Sequence, residues 1–307
     1  MTTDTQTFVP QVIGIVGLGL VGTVLAQRLR AAGYVTVGFD LRQEARNAFA
    51  ASGGRVIDSL RSLSAAVFCV VLAVFDSADV LAVVEGEGGL AGAPGMACII
   101  DCSTGTPDVL ESLAARLERR GIDFIEAPLS GSSQQIAAGA ATLLLGGQAD
   151  ALRLYAPVLG AIAASQIHVG GAGMGARAKL ATNLVLGLNR PVLAEDMVFA
   201  EGLGIAPARF LALVLASPAT SGAAESKGRM MVEGDFAPQS RIRQHLKDVN
   251  LMLDLARANR QKLPLSETHA ALMCAAVAAG DGDLDNAAII REIRRQKAAA
   301  PHSFDQA

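Results

Sequence analysis

The chain has 307 residues, 51% of them hydrophobic, which is enough for two domains with cores of their own. A formal net charge of −3, with no long run of one sign, lacks the basic face expected of a nucleic-acid binder. The longest apolar run, Ala65 to Phe75, falls short of the roughly 20 residues of a bilayer span, and the polar Met1 to Pro10 lacks a basic leader region; a cytoplasmic protein with no membrane partner is expected.

In chain order, Val12 to Val16, Val35 to Phe39, Val67 to Leu72, Cys98 to Asp101 and Phe124 read as short strands, apolar and bounded by Gly, Asp or Ser. Between them, Val21 to Ala32, Gln43 to Ala51, Ala78 to Val84 and Pro107 to Arg119 carry helical periodicity. Strands alternating with helices imply a parallel sheet covered on both faces. A strand at Thr142 to Leu145, a helix over Ala149 to Leu159 and a strand at Gln166 to Val169 continue the pattern. After the cluster Gly170, Gly171, Gly173 and Gly175 the chain reads as helix almost throughout. One long pattern runs from Ala176 to about Glu201, with Pro191 inside it as an expected kink. Helices follow at Pro207 to Leu215, Gln239 to Ala258, Leu265 to Ala279 and Asn286 to Lys297, with a turn at Asp281-Gly282-Asp283. The expected architecture is an α/β Rossmann-type N-terminal domain over residues 8–170 and an all-α C-terminal domain over residues 171–300, joined by a long interdomain helix. Its long apolar helices suggest a homodimer or homotetramer.

The first strand runs into Gly17-Leu18-Gly19-Leu20-Val21-Gly22, a GxGxxG loop that opens a helix. Gly17 permits the tight turn, Gly19 the approach of a pyrophosphate, and Gly22 the close packing of helix on strand. The phosphates then meet the free N–H groups of the helix N-terminus. The second strand ends near Asp40, whose carboxylate can accept from the adenosine ribose hydroxyls and would repel a 2′-phosphate. NAD is therefore expected, and Arg42 leaves NADP possible.

Hydride transfer needs a group to move the hydroxyl proton and donors to hold the substrate. Lys179 and Asn183 stand at i and i+4 on one helix face, just after the glycine turn that would bring that face beside the Rossmann domain. Lys179 could serve as general acid/base and Asn183 as a substrate ligand. By spacing alone, a solvated surface lysine is the commoner outcome. Arg190 shares the face but lies about 16 Å further along, too far to hold the same small acid. His168, His245, His269 and His302 fall at no metal-ligand spacing, so no metal is expected. Cys69, Cys98, Cys102 and Cys274 form no CxxC pair and read as reduced, mostly buried thiols.

Beyond these readings, the sequence resembles the β-hydroxyacid dehydrogenase family over about residues 11–297. Gly14-Ile15-Val16-Gly17-Leu18-Gly19-Leu20-Val21-Gly22 is similar to its cofactor signature, with Val21 where Met is usual. Asp101-Cys102-Ser103-Thr104 with Pro107 is similar to its DxSTxxP segment, and Ala127-Pro128-Leu129-Ser130-Gly131-Ser132 to its APVSGG substrate segment. Gly171-Ala172-Gly173 with Lys179 and Asn183 is similar to its GxGxxxKxxNN helix, and Phe236, Lys247 and Asp248 to a C-terminal FxxxLxxKD pattern. The resemblance implies Lys179 as general acid/base and Ser130, Gly131, Ser132 and Asn183 as holders of a small carboxylate substrate. It places Ser103 and Thr104 near the nicotinamide, Val74 among the cofactor contacts, and Lys247 over the cofactor side of the site. The implied activity is hydride transfer between NAD(P) and a small 3-hydroxy acid.

The chain departs from the pattern in three places. Ser132 replaces a glycine and narrows its loop, Thr182 replaces the first Asn of the NN pair, and Thr220-Ser221-Gly222 lacks a large aromatic side chain. The last suggests a wider or more polar pocket than a branched apolar acid needs. An imine reductase-like enzyme and a non-catalytic NAD-binding assembly module are the alternatives; members of both classes lack the lysine that this chain carries. A 6-phosphogluconate dehydrogenase would need a longer helical domain and a His-Asn-Gly run after the lysine.

Overall fold

A computed structural model describes residues 11–296. Met1 to Pro10, Lys297, His302 and the expected domain limits at residues 8 and 300 lie outside the described residues. The strands are β1 (Val12–Val16), β2 (Val35–Phe39), β3 (Arg55–Val56), β4 (Cys69–Leu72), β5 (Cys98–Asp101), β6 (Asp123–Glu126), β7 (Leu129–Ser130), β8 (Thr142–Gly146) and β9 (Ser165–Gly170). The helices are α1 (Leu20–Ala31), α2 (Gln43–Ala51), α3 (Leu60–Ala66), α4 (Ser77–Glu85), α5 (Pro107–Glu118), α6 (Ser133–Ala137), α7 (Ala149–Leu154), α8 (Ala156–Ile162), α9 (Met174–Gly202), α10 (Pro207–Leu215), α11 (Gly222–Glu233), α12 (Ile242–Ala258), α13 (Pro264–Ala278) and α14 (Ile289–Arg295).

The strands form one sheet in the order β3-β2-β1-β4-β5-β6-β8-β7, with β9 on β8. The first six are parallel, whereas β8 runs antiparallel to β6 and β7 and parallel to β9. This is the doubly wound order, with its switch point between β1 and β4, where ligands sit beyond the carboxyl ends of the strands. Alternate side chains of each central strand serve different cores. Ile13, Ile15, Val71 and Ile100 pack with Leu25 and Leu29 of α1. Val16, Val70, Leu72 and Ile99 pack with Leu63 of α3, Val80 of α4, and Leu110 and Leu113 of α5. Burial on both faces is why these strands read as unbroken apolar runs.

The chain divides into two compact units, one ending at Thr182 and the other beginning at Asn183, inside α9. The second unit is all helical, the remainder of α9 with α10 to α14. Its interior holds a buried ion pair, Lys227 Nζ to Asp285 Oδ2 at 2.9 Å. The same carboxylate accepts from the N–H groups of Gln239 (2.9 Å), Ser240 (3.0 Å) and Ala287 (3.0 Å), tying α11 to the segments before α12 and α14.

Several elements differ from expectation. The expected helix Ala149 to Leu159 is two helices that break at Tyr155, with Pro157 in the first turn of the second. The expected strand from Val67 begins only at Cys69, because Val67 closes α3. The expected helix from Gln239 begins at Ile242, since the Gln239 and Ser240 amides serve Asp285. Two-residue β3 and β7 are too short for a periodicity to register. Helix α11 carries Gly222, Ser226 and Gly228, all weak helix formers. A Cβ on Gly228 would stand 2.3 Å from the Leu211 side chain of α10, so the glycine lets that side chain seat against α11. Helix α9, by contrast, is the single long helix expected, with Pro191 inside it.

Candidate active site

The loop after β1 is built by its glycines. Gly17 has φ +89°, and a Cβ there would lie 2.3 Å from the Ala73 carbonyl oxygen. A Cβ on Gly22 would lie 1.8 Å from the Gly17 oxygen. Gly19 is different: the nearest atom to an added Cβ is Arg42 Nη2, at 3.7 Å. The fold itself does not require a bare backbone at Gly19, but a pyrophosphate approaching the start of α1 does. Gly19 is the N-cap of α1 and gives that helix no side-chain cap. The amides of Leu20, Val21 and Gly22 open a terminus suited to an anion. A dinucleotide fits these residues.

Asp40 is buried at the end of β2. Its Oδ2 accepts from the Leu18 N–H (2.8 Å) and Arg42 Nη2 (3.1 Å), its Oδ1 from the Arg42 N–H (2.8 Å) and Nε (3.2 Å). Burial pushes its carboxyl up, but the Arg42 side chain and the Arg42 and Leu18 amides outweigh it, so the net value is lowered. Asp40 is therefore a fixed negative charge that holds the glycine loop by Leu18. Arg42, itself well exposed, lies across it.

Val74, Ser103 and Thr104 come from the carboxyl ends of β4 and β5. The Val74 N–H donates to Ser103 Oγ (3.1 Å), and the Ser103 N–H donates to Asp101 Oδ1 (2.9 Å). Ser103 thus ties the two loops together rather than capping α5, whose N-cap is Thr106.

Lys179 is buried, with 8% of its surface exposed, against the expectation that spacing alone sets. Its Nζ donates to the Leu129 carbonyl oxygen at 2.6 Å, beside Ser130 and Gly131. Gly131 has φ +151°, and a Cβ there would stand 2.9 Å from that of Ala141. Ser132 forms a capping box on α6: its Oγ accepts from the Gln135 N–H (3.3 Å) and its N–H donates to Gln135 Oε1 (2.8 Å). That cap accounts for the serine where the family carries glycine. One turn beyond Lys179, buried Asn183 donates from Nδ2 to Asp248 Oδ2 (3.3 Å), and Lys247 Nζ lies 3.1 Å from Asp248 Oδ1. Thr182 Oγ1 donates back to the Ala178 carbonyl (2.9 Å).

One residue at this site was not singled out by sequence. Glu126, 1% exposed at the end of β6, accepts from the Gly173 N–H with Oε2 and from the Ala176 N–H with Oε1 (2.9 Å). It caps the helix that carries Lys179. The signal was legible: α9 opens on Gly173-Met174-Gly175-Ala176, which holds no capping side chain and no acidic residue. The glycines that packing requires there are Gly173, at φ +84°, and Gly175, where a Cβ would lie 2.8 Å from that of Glu126. The GxGxxxK spacing to Lys179 therefore falls on Gly173 and Gly175 rather than on Gly171-Ala172-Gly173, and Gly171 has nothing within 4 Å of an added Cβ. Burial raises the Glu126 carboxyl to about 7. No cluster of metal-ligating side chains is found among the described residues, and none of their helices is long and apolar enough to cross a membrane.

A doubly wound sheet with a bare glycine loop and an acidic residue ending β2 defines a dinucleotide-binding protein of the Rossmann class. Comparison with known proteins agrees. The family model described as the NAD binding domain of 6-phosphogluconate dehydrogenase matches residues 12–171. The model described as the NAD-binding region of NADP-dependent 3-hydroxyisobutyrate dehydrogenase matches residues 173–293. The chain is 32% identical to an L-threonate dehydrogenase of Cupriavidus necator, over 91% of its own length and 95% of that protein. It is 27% identical to the 2-hydroxy-3-oxopropionate reductase of Escherichia coli, over 92% and 96%. A solved structure of 3-hydroxyisobutyrate dehydrogenase from Salmonella typhimurium matches with TM-score 0.82 and 30% identity, covering 91% of this chain and 99% of that one. The chain belongs to the β-hydroxyacid dehydrogenase family of NAD(P)-dependent oxidoreductases.

Proposed function

We propose that the chain interconverts a small polar 3-hydroxy acid and its carbonyl acid, with Lys179 as general acid/base. The observation that carries this reading is the burial of Lys179 with its Nζ on the Leu129 carbonyl, beside the Ser130-Gly131 backbone. Bound NAD(P) supplies the hydride acceptor or donor. Ser130 and Gly131 offer backbone N–H groups that hold a carboxylate without adding a charge. Asn183, oriented by Asp248, presents its amide one helical turn from Lys179 and aligns the hydroxyl. Lys179 takes the hydroxyl proton in oxidation and returns it in reduction. Ser103 and Val74, hydrogen-bonded to each other, line the nicotinamide end.

NAD is the preferred cofactor in this reading, because the Asp40 carboxylate disfavours a second negative charge on the ribose. A polar acid of the threonate class is favoured over a branched apolar one. The similarity to an L-threonate dehydrogenase supports this, as does a segment before α11 whose Ser221 caps the helix and which has no large side chain. Val185, Val192 and Phe199 recur at seven-residue spacing on α9 and, with Leu203 just beyond its end, are exposed, which supports a homo-oligomer. A monomeric mass by light scattering would remove that part.

The test is nicotinamide absorbance with 3-hydroxyisobutyrate, glycerate, threonate, 3-hydroxypropionate and tartronate semialdehyde, each with NAD(H) and NADP(H). Turnover on a polyhydroxylated acid with NAD(H) is expected. Cofactor binding with no turnover on any acid contradicts the reading.

A further inference from the structure

Helix α9 is held to the strand segment Glu126 to Gly131 at two points. The Glu126 carboxylate takes the Gly173 and Ala176 amides at the start of the helix. The Leu129 carbonyl takes Lys179 Nζ from the second turn. Between these points the chain runs only from Glu126 to Leu129 on one side and from Ala176 to Lys179 on the other. The helix start therefore cannot slide along the sheet without breaking the Lys179 contact or the cap.

The crossing is also kept close. Glu126 pairs in the sheet with Gly146, where a Cβ would lie 2.7 Å from the Gly175 N and 2.8 Å from Glu126 Oε2. Arg177 adds a third tie from the same turn, its Nη2 on Asp108 Oδ1 (2.7 Å) and Glu111 Oε2 (3.1 Å) of α5.

We propose that Glu126 is a positioning residue for the reaction, setting the axial position of α9 and hence the place of Lys179 Nζ against the Ser130-Gly131 substrate segment. This inference rests on the reading of Lys179 as general acid/base.

A carboxylate is suited to the task. Two lone-pair-bearing oxygens meet two free helix amides, and its charge complements the positive end of the helix dipole. Burying that charge works against folding, since burial pushes the Glu126 proton affinity up. A residue serving stability alone would gain from being neutral. Glutamine at this position keeps the shape and one acceptor oxygen but turns an N–H toward one of the helix amides.

Glu126→Gln and Glu126→Asp are compared with wild type and with Lys179→Ala, in steady-state kinetics, cofactor titration by fluorescence, and amide hydrogen exchange. Glu126→Gln is expected to keep the folded circular dichroism spectrum and to bind NAD(H) within about twofold of wild type. Its kcat should fall about 10- to 100-fold, the order expected when a reacting group is misplaced by about 1 Å. Glu126→Asp, which keeps the charge, should retain more kcat than the glutamine variant. Exchange should rise in the variants at the first turns of α9, and this readout needs no turnover. Wild-type kcat in Glu126→Gln, equal impairment of Gln and Asp, or unchanged exchange at the start of α9 overturns the inference. If Lys179→Ala keeps its turnover, the general acid/base reading falls instead, while the exchange result still judges the role of Glu126.

Discussion

Replacing Glu126 by Gln isolates the energetic cost of its buried charge. Burial moves this carboxyl from an ordinary 4.5 to about 7; the Ala176 and Gly173 amides oppose the rise, Asp101 on β5 adds to it, and Arg177 on α9 opposes it. In the unfolded chain the group ionises near its ordinary value, so the folded protein holds the proton more tightly. Its contribution to stability is fully present below about pH 4.5 and is lost as the pH climbs through about 7. That interval corresponds to about 3 kcal/mol. The assay is urea denaturation of wild type and Glu126→Gln at a series of pH values, read as the difference between the two proteins so that other titrating groups cancel. From about pH 4.5 to about pH 8, wild type should lose about 3 kcal/mol relative to the variant. Parallel stability curves would refute the reasoning.

The other expectations are independent of that one. Gly19→Ala should leave the melting temperature unchanged and weaken cofactor binding, whereas Gly22→Ala, with its Cβ 1.8 Å from the Gly17 oxygen, should lower the melting temperature as well; equal effects on folding would contradict the role given to Gly19. Asp40→Asn should narrow the preference for NAD(H) over NADP(H), measured as the ratio of kcat/KM values, and an unchanged ratio would free Asp40 from selectivity. His269, buried in the helical unit, is lowered to about 4 by burial and then by Arg190 on α9, with the His245 ring 5.4 Å away on α12. Its contribution is therefore present above about pH 6.5 and lost as the pH falls through about 4, a loss of about 3 kcal/mol that His269→Gln should abolish in acid denaturation. Lys227→Met should cost about 3–5 kcal/mol by removing the cation hydrogen-bonded to the buried Asp285 carboxylate, and a smaller loss would mean that the three backbone amides and the nearby Arg190 suffice.

Much of the fold was legible because its central strands are buried on both faces and its loops carry glycines with defined tasks. Val12 to Val16, Val35 to Phe39 and Cys98 to Asp101 fall where the apolar runs place them, with Gly17 and Gly22 at the turn they require. Helix α11 was not legible, since Gly222, Ser226 and Gly228 argue against a helix and only the close approach of α10 explains Gly228. The break at Tyr155 had a local sign in Pro157, which the surrounding helical periodicity masked. In the site, Lys179 and Asn183 were visible by spacing, but their burial was not, because helix periodicity carries no information about Leu129 or Asp248. Glu126 escaped because it is distant in sequence from the helix it caps. An uncapped helix start at Gly173-Met174-Gly175 was the clue that such a partner must exist.

Turnover by Lys179→Ala tests the central claim most directly. Wild type and variant are compared on the acid that the wild type turns over fastest, with cofactor affinity measured alongside. Loss of the general acid/base should lower kcat about 10²- to 10⁴-fold while NAD(H) binding persists. A variant that keeps wild-type kcat would contradict the assignment of the proton transfer to Lys179.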